Sequence, residues 1–486
     1  MIFVRFYDEP LAQASYLVGC SAHGVAVVID PNRLVDQYIA AAESRGLRIG
    51  FVTETHIHAD FISGTRELAA RTGAEVLVSD CGPPEWQYAF RNERGVRRLA
   101  DRDAFRVGNV EIRAVHTPGH TPEHVCFLVT DSATAPEPMG IVTGDFVFAN
   151  DVGRPDLLEK AARIEGTADA GARQLFRSLA WFKTLPDHLQ VWPGHGAGSA
   201  CGKGMSAVPQ STVGYERRFN WAFQVEDESE FARMVLEGQP EPPRYFARMK
   251  RINREGPPVL GVLPLPERIA EHRLKAVLAS GAMVVDTRPA ADHAAGHVPG
   301  TLNIPFNNSF VTWAGSLLPY DQDLYLLVAE GAEARLPRMV QSLSTIGLDR
   351  VKGWFAEAAL ALWRSEGGRL DTVEQLSALD LSRKKGAMAV LDVRGRSEWD
   401  AGHLPGATLI PLAELPDRLN EVPSDQPVAV HCQGGSRSAI AASLLRSRGH
   451  LSVANVTGGM TAWEQAGLPV ERSRTATNGR EAEPPH

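Results

Sequence analysis

Hydrophobic and polar positions fall into short apolar runs separated by turns and helical segments, and the two halves of the chain do this differently. In the N-terminal half, YLVG, GVAVVID, IGFVTET, EVLVSD, VEIRAV, VCFLVT and MGIVTGD have the length and β-branched character of strands. Several end at His, Asp or Thr, so polar side chains stand where strands stop. In the C-terminal half, Val284 to Phe306 aligns without gaps to Val390 to Leu412. Asp286 matches Asp392, Arg288 matches Arg394, His297 matches His403 and Pro305 matches Pro411, all at one offset. Each copy reads as a helix, a strand ending in Asp-x-Arg, a Gly-His-x-Pro-Gly turn and a further strand. The second continues through PVAVHC, a helix from about Ser438 to Arg448, and SVANV. Such alternation predicts small α/β domains of about 100 residues with parallel sheets covered on both faces.

A length of 486 residues fits three domains. The stretch from Gly238 to Glu267 is proline-dense with a basic centre and reads as a connector. The expected division is therefore 1–250, a linker at 251–265, repeats at 266–370 and 371–472, and a disordered tail at 473–486 without apolar periodicity. Hydrophobic residues are 44% and charged residues 22%, with 44 Gly and 32 Pro scattered along the chain, which excludes long disorder and collagen-like structure. A net charge of −8 without a basic run argues against a nucleic-acid partner. The five widely spaced cysteines form no disulfide framework. The N-terminus turns acidic early and no run reaches about 18 apolar residues, so neither a signal peptide nor a membrane partner is expected. The reading is a cytoplasmic protein with thiols available for chemistry. Heptads are absent, and a homo-oligomer would have to form through other surfaces.

Candidate chemistry begins where FVTET runs into His56, His58 and Asp60 at alternate positions. His120 in HTPGHTPEH, Asp145 in IVTGDFVF and His195 in VWPGHGAG follow in order. Each comes after an apolar run or a Pro-Gly turn, as when a sheet presents side chains from its edge into one cleft. Four segments are expected to converge on a metal. Arg154 could meet an acidic group on a small thiol, and Cys201, in a Gly-rich loop after His195, could carry or receive sulfur.

This ordered set resembles the metallo-β-lactamase superfamily over roughly residues 1 to 240, which implies an αββα sandwich with a metal cleft at the sheet edges. The superfamily pattern HxHxDH is altered, because Phe61 stands at its last position. Phenylalanine cannot donate a lone pair, so a mononuclear centre is expected. Among mononuclear members the chain is similar to persulfide dioxygenases through THIHADF, TPGHTPEH, TGDFVF followed by DVGRPDL, and PGHGAGSACGKG. That resemblance implies one ferrous ion per chain held by His56, His120 and Asp145, with no organic cofactor. His58, Asp60 and His195 would orient ligands or water, direct coordination remaining open to them. Two imidazoles and a carboxylate leave three positions on octahedral iron, enough for a thiolate and dioxygen together. Zinc would be confined to polarising a carbonyl or activating water.

In the second repeat, strand PVAVH leads into Cys432, then Gln433, Gly434, Gly435 and Ser436, with Arg437 opening a helix. A loop with two glycines can aim backbone N–H groups at the sulfur, and the helix N-terminus adds positive potential; both favour a thiolate and its persulfide. Phosphatase loops place five residues between Cys and Arg. Here only Gln433 to Ser436 intervene, a cradle fitted to sulfur. With DVR, GHLPGA and VTGGMTAW, the segment resembles rhodanese over roughly residues 375 to 472. This implies Cys432 and Arg437 as catalytic residues, Gln433 to Ser436 as anion cradle, and Asp392, Arg394 and His403 as fold supports. In the first repeat Ala329 is expected at the place of Cys432, leaving that copy silent. The combined expectation is oxidation of a small-thiol persulfide by O2 to sulfite, and transfer of persulfide sulfur to sulfite to give thiosulfate, as in sulfide detoxification. Two alternatives are a glyoxalase II-like thioester hydrolase with an accessory rhodanese, and a non-catalytic persulfide carrier or sensor.

Overall fold

In the strand Gln13–Cys20, Ala14, Tyr16, Val18 and Cys20 face one way and Leu17 the other; Val25–Ile29 divides likewise into Val27 and Ile29 against Ala26 and Val28. Both faces are apolar, so these strands must be covered twice. The computed structural model describes residues 1–162, 166–384 and 386–472; the tail expected at 473–486 lies outside the described residues. A first six-stranded sheet runs in the order Ile2–Asp8, Gln13–Cys20, Val25–Ile29, Arg48–Thr53, Glu75–Ser79, Val96–Leu99. Its first two pairings are antiparallel and the rest parallel. A second runs Ser211–Thr212, Gln190–Pro193, Gly140–Gly144, Val125–Asp131, Val110–His116, Ala104–Val107, and is parallel only between Gly140–Gly144 and Gln190–Pro193.

The inner faces of these sheets meet through Tyr16, Val27 and Ile29 on one side and Phe105, Ile112, Phe127 and Trp192 on the other. Helices Asp36–Glu43 and Thr65–Thr72 cover the outside of the first sheet with Tyr38, Ala42 and Leu68. Helices Thr167–Phe182 and Glu228–Leu236 cover the second with Leu175, Leu179, Phe182 and Phe231. The result is the expected αββα sandwich.

By contacts, the sandwich belongs to a unit comprising Met1–Leu265, Asn308–Tyr320 and Arg335–Asp349. The last two segments lie within the sequence of the first repeat. They join this unit through bonds such as Ile62 N–H to the Thr345 carbonyl (2.6 Å) and the ion pair of Arg33 with Asp349 (2.9 Å). The stretch read as a connector also differs from expectation. Phe246–Glu255 is a helix that buries Phe246, Met249, Lys250 and Asn253 along one face.

The other unit, Pro266–Asn307, Asp321–Ala334 and the chain from Arg350, contains two five-stranded, wholly parallel sheets of one design. The first is ordered Glu267–Arg268, Val351–Ala356, Leu324–Val328, Met283–Asp286, Leu302–Asn303. The second is ordered Glu374–Leu376, Val453–Val456, Val428–His431, Ala389–Asp392, Thr408–Leu409. The Asp-x-Arg motif has the same buried geometry in both. Arg288 Nη2 bonds Asp286 at 2.7 Å and the Gly296 carbonyl at 3.1 Å; Arg394 Nη2 bonds Asp392 at 2.7 Å and the Gly402 carbonyl at 2.7 Å. Each guanidinium ties the end of a strand to the Gly-His turn. Among the described residues no helix is long and apolar enough to cross a membrane.

Candidate metal centre and sulfur-transfer loop

Strand ends deliver the polar cluster. Arg48–Thr53 leads into Thr55 and His56, Gly140–Gly144 into Asp145, and Gln190–Pro193 into His195; His120 lies in the turn after Val110–His116. The bend at Gly144 has φ +49°, and a Cβ there would sit 2.4 Å from Thr55 Oγ1, so glycine is required for Asp145 to turn inward. His56, His120 and Asp145 each offer one donor atom, all within 4.8 Å of one another. The Nε2 atoms of His56 and His120 lie 3.9 and 3.6 Å from Asp145 Oδ2, which is buried and accepts no hydrogen bond. An orphaned carboxylate oxygen facing two imidazole nitrogens is unfavourable in isolation, and a cation between them satisfies all three. The donor set therefore fits a metal ion.

Neighbouring groups fix how the two imidazoles present themselves. Thr55 Oγ1 donates to Asp30 Oδ2 (3.0 Å), so it accepts from His56 Nδ1 (2.9 Å); His120 Nδ1 donates to the Arg154 carbonyl (2.9 Å). Both rings are left with an Nε2 lone pair toward Asp145. Burial holds His56 well below the usual histidine range and brings His120 down to about 4, with Asp145 opposing the latter shift. Asp30, with φ +54°, also accepts from the Thr55 N–H at 2.6 Å. A left-handed aspartate at a strand end is strained, and here it organises the site. Sequence reasoning passed over both Thr55 and Asp30; the available signal was the acidic end of GVAVVID.

The remaining expected residues surround this cluster. His58 Nε2 bonds Asp30 Oδ1 (3.1 Å); burial would lower its pKa, but Asp30 lifts it to about 9. His195 bridges Asp145 Oδ1 (2.6 Å) and Asp60 Oδ2 (2.8 Å). Against the effect of burial, these carboxylates hold His195 as an imidazolium, and Asp145 is in turn kept well below the carboxylate range. Phe61 is fully buried with its ring 4.5 Å from that of His58. Cys201 does reach the cleft, since Asp60, His195 and Cys201 form a second group of donors within 4.8 Å. Burial, reinforced by Asp145 and Asp60, pushes its thiol well up.

Arg154 does not meet the expectation of a substrate contact. Its side chain is fully buried and fully engaged, with Nε and Nη2 on the two Asp156 oxygens (2.7 Å each) and Nη1 on the carbonyls of Ala200 (3.0 Å) and Pro240 (2.7 Å). It braces the loops around the cluster, with four of its five N–H donors engaged within the protein. Arg154→Met should cost about 2–4 kcal/mol of stability in a urea titration, because the buried Asp156 loses both guanidinium bonds and keeps only the Lys160 ammonium (3.2 Å) as counter-charge. A loss below about 1 kcal/mol would contradict this bracing role.

In the second sheet of the other unit, Val428–His431 delivers Cys432, which is 1% exposed. The Gly435 N–H points at its Sγ (3.1 Å), and the Ser438 hydroxyl lies at 3.5 Å. Gly435 has φ +99° at the start of helix Ser436–Ser447, a conformation that favours glycine. The loop is braced from behind by Met460 N–H to the Cys432 carbonyl (2.8 Å) and Thr461 N–H to the Gln433 carbonyl (3.0 Å). The Gln433 side chain turns away to Thr461 and Arg394, so only its backbone is free to serve the cradle. Arg437 is held beside the thiol by a bidentate ion pair with Glu398, 2.6 Å at each bond. In the first repeat, strand register corrects the expected equivalence. Asp286 pairs with Leu327 as Asp392 pairs with His431, so Val328, and not Ala329, occupies the place of Cys432. The connection before that strand differs in length between the copies, which displaced the sequence alignment. The first copy carries no thiol there in either case.

Fold and site together define a metal-binding α/β enzyme domain joined to a rhodanese-like domain. The pattern described as the metallo-beta-lactamase superfamily matches residues 8–195, and that described as a rhodanese-like domain matches residues 375–466. A crystal structure of a metallo-beta-lactamase from Staphylococcus aureus is 40% identical and covers 73% of this chain and 99% of its own, with a TM-score of 0.67. The chain belongs to the metallo-beta-lactamase superfamily. A hydroxyacylglutathione hydrolase from Rhodospirillum rubrum is 33% identical over 180 residues, which are 37% of this chain and 60% of that relative's length. A metallo-hydrolase, so named as probable, from Burkholderia pseudomallei is 28% identical over 218 residues, 39% of this chain and 70% of its own.

Proposed function

We propose that the chain is a non-haem iron persulfide dioxygenase coupled to a sulfurtransferase. The observation that carries this reading is the convergence of His56 Nε2, His120 Nε2 and Asp145 Oδ2, with Phe61 filling the position of a further histidine and His58 bonded to Asp30. Two imidazoles and one carboxylate are a donor set for ferrous iron, whose role when bound is redox chemistry with open positions for sulfur and dioxygen. The chain's own residues do the rest. Thr55 and the Arg154 carbonyl hold the ring tautomers, the imidazolium of His195 orients Asp145 and Asp60, and burial excludes bulk water. The overall reaction is RS–S⁻ + O2 + H2O → RSH + SO3²⁻ + H⁺.

Cys432 then attacks the outer sulfur of a second persulfide. The S–S bond breaks, RS⁻ leaves and takes a proton, and Cys432 carries the sulfur as Cys–S–S⁻ toward the Gly435 N–H. Sulfite attacks that sulfur, giving thiosulfate and returning the Cys432 thiolate. Chain purified without oxygen should hold about one iron, and adding a thiol persulfide should produce O2 uptake and sulfite. The likeness to hydroxyacylglutathione hydrolases favours a second reading, a metal-dependent thioester hydrolase. Stoichiometric zinc and thioester cleavage without persulfide-driven O2 uptake would select it.

A further inference from the structure

Beside the transfer loop, two half-buried side chains neutralise each other. Arg437 Nη1 and Nη2 bond the two oxygens of Glu398 at 2.6 Å each, and Glu398 Oε2 also accepts the Gly395 N–H (3.0 Å) at the start of helix Arg396–Ala401. Three bonds converge on one carboxylate, so the helix that carries Glu398 also fixes its side chain.

Short contacts tie both ends of this pair to the sulfur. Arg437 stands between Gly435, whose N–H is 3.1 Å from Cys432 Sγ, and Ser438, whose hydroxyl is 3.5 Å from it. On the other side, Gly395 follows Arg394, whose Nη1 lies 3.1 Å from Oε1 of Gln433, the residue after Cys432. The thiol itself is buried, whereas Gly434 is exposed and a Cβ placed on it would meet no atom within 4 Å. The loop is therefore open above Gly434 and flanked by the ion pair. Against burial, Arg437 and the Gly395 N–H hold Glu398 below the usual carboxylate range, while Glu398 and then the Cys432 sulfur hold Arg437 above its own. Both groups stay charged near neutral pH, and the charges cancel. In the first copy, which has no thiol, the matching position holds Asp292, exposed and without an ion pair to any described residue.

The cancellation matters because the nucleophiles that can take sulfur from the loop differ in charge. With sulfite the step is Cys–S–S⁻ + SO3²⁻ → Cys–S⁻ + S2O3²⁻. With a thiol it is Cys–S–S⁻ + RSH → Cys–S⁻ + RS–SH; in both, the nucleophile's electron pair forms the new bond to the outer sulfur and the S–S bond breaks toward Cys432. An uncompensated guanidinium beside the sulfur would draw the dianion far more than an acceptor without net charge. We propose that Glu398, acting through Arg437, sets the acceptor selectivity of the transfer loop, keeping small thiols competitive with sulfite. This rests on the sulfurtransferase reading of Cys432.

The test uses the full chain without O2, its Cys432 loaded with sulfur from thiosulfate and the excess removed by desalting. Loaded protein is mixed with sulfite or with cysteamine, whose reactive thiolate form carries no net charge, and the two second-order rates are compared as a ratio. In Glu398→Gln, which keeps an acceptor for the Gly395 N–H, the ratio of sulfite to cysteamine should rise about three- to tenfold at low salt. It should fall back toward the parent value at about 0.5 M salt. Glu398→Asp, which keeps the charge, should stay within about twofold. Arg437→Gln should lower the ratio by about three- to tenfold, and the double variant Glu398→Gln with Arg437→Gln, again without net charge, should return to within about twofold of the parent. A merely structural role for Glu398 would slow both acceptors together and leave the ratio unmoved, which overturns the proposal. A lower ratio in Glu398→Gln, or a rise that persists in the double variant, overturns it as well. If glutamine at position 398 disturbs folding, the opposite shift in Arg437→Gln still decides the matter. A parent chain that loads no sulfur on Cys432 rejects the sulfurtransferase reading and this inference with it, whereas transfer at an unmoved ratio rejects the inference alone.

Discussion

Replacing Cys432 with serine should abolish thiosulfate as a product and let sulfite accumulate, with persulfide-driven O2 uptake unchanged. Serine is nearly isosteric, so the contacts that shape the loop, Met460 N–H to the residue 432 carbonyl and Thr461 N–H to that of Gln433, are kept. The nucleophile is what changes. A hydroxyl is not ionised near neutral pH and cannot form a persulfide, so thiosulfate formation should fall by at least about a hundredfold. Sulfite and thiosulfate can be quantified in one sample by thiol-specific derivatisation and chromatography. Undiminished thiosulfate would remove Cys432 from the reaction, leaving direct attack of sulfite on the small-molecule persulfide as the route.

Removing one donor from the metal cluster should have an effect at least as large, in the opposite half of the product pattern. In His120→Ala the ring nitrogen 3.6 Å from Asp145 Oδ2 is lost, and in Asp145→Asn the anionic oxygen itself is neutralised. Metal affinity should drop by more than the 10–100-fold typical of residues that only support a ligand, and O2 uptake should fall by about a thousandfold or more. Sulfur transfer from thiosulfate to an added acceptor, which needs Cys432 alone, should be retained. Metal analysis after desalting and an oxygen electrode check both parts. Full iron occupancy in either variant would show that the cluster is not the binding site.

The sandwich was legible because its strands are buried on both faces and short turns divide them. The repeat was legible because Asp-x-Arg and Gly-His-x-Pro-Gly recur at one spacing. The structure shows why those residues recur, since Arg288 and Arg394 each bond an aspartate and the carbonyl before the turn histidine. The candidate ligands were visible as polar residues at strand ends. Groups that act through a neighbour were not. Thr55 and Asp30 carry no motif, and their importance depends on a chain of hydrogen bonds between separate strands. Arg154 was misread because sequence does not reveal whether a guanidinium faces a substrate or a carboxylate two residues away. The helix Phe246–Glu255, whose Asn253 holds the loop of His58 and Phe61, was hidden by context. The spacing of Phe246, Met249, Lys250 and Asn253 is helical, but flanking prolines and neighbouring basic residues made the segment read as a solvated connector.

The hydrogen bonds that fix the two imidazole rings also bear on which ion the chain acquires. Thr55 and the Arg154 carbonyl aim both Nε2 lone pairs before any ion arrives, so the cluster is a mould ready to be filled. A preformed nitrogen and oxygen site follows the general order in which zinc binds more tightly than ferrous iron. Cellular supply then decides occupancy more than the protein does. The same polypeptide folded in zinc-rich, aerated surroundings would receive an ion without redox chemistry, and the dioxygenase activity proposed for it would then depend on the iron economy of the cell at the moment of synthesis.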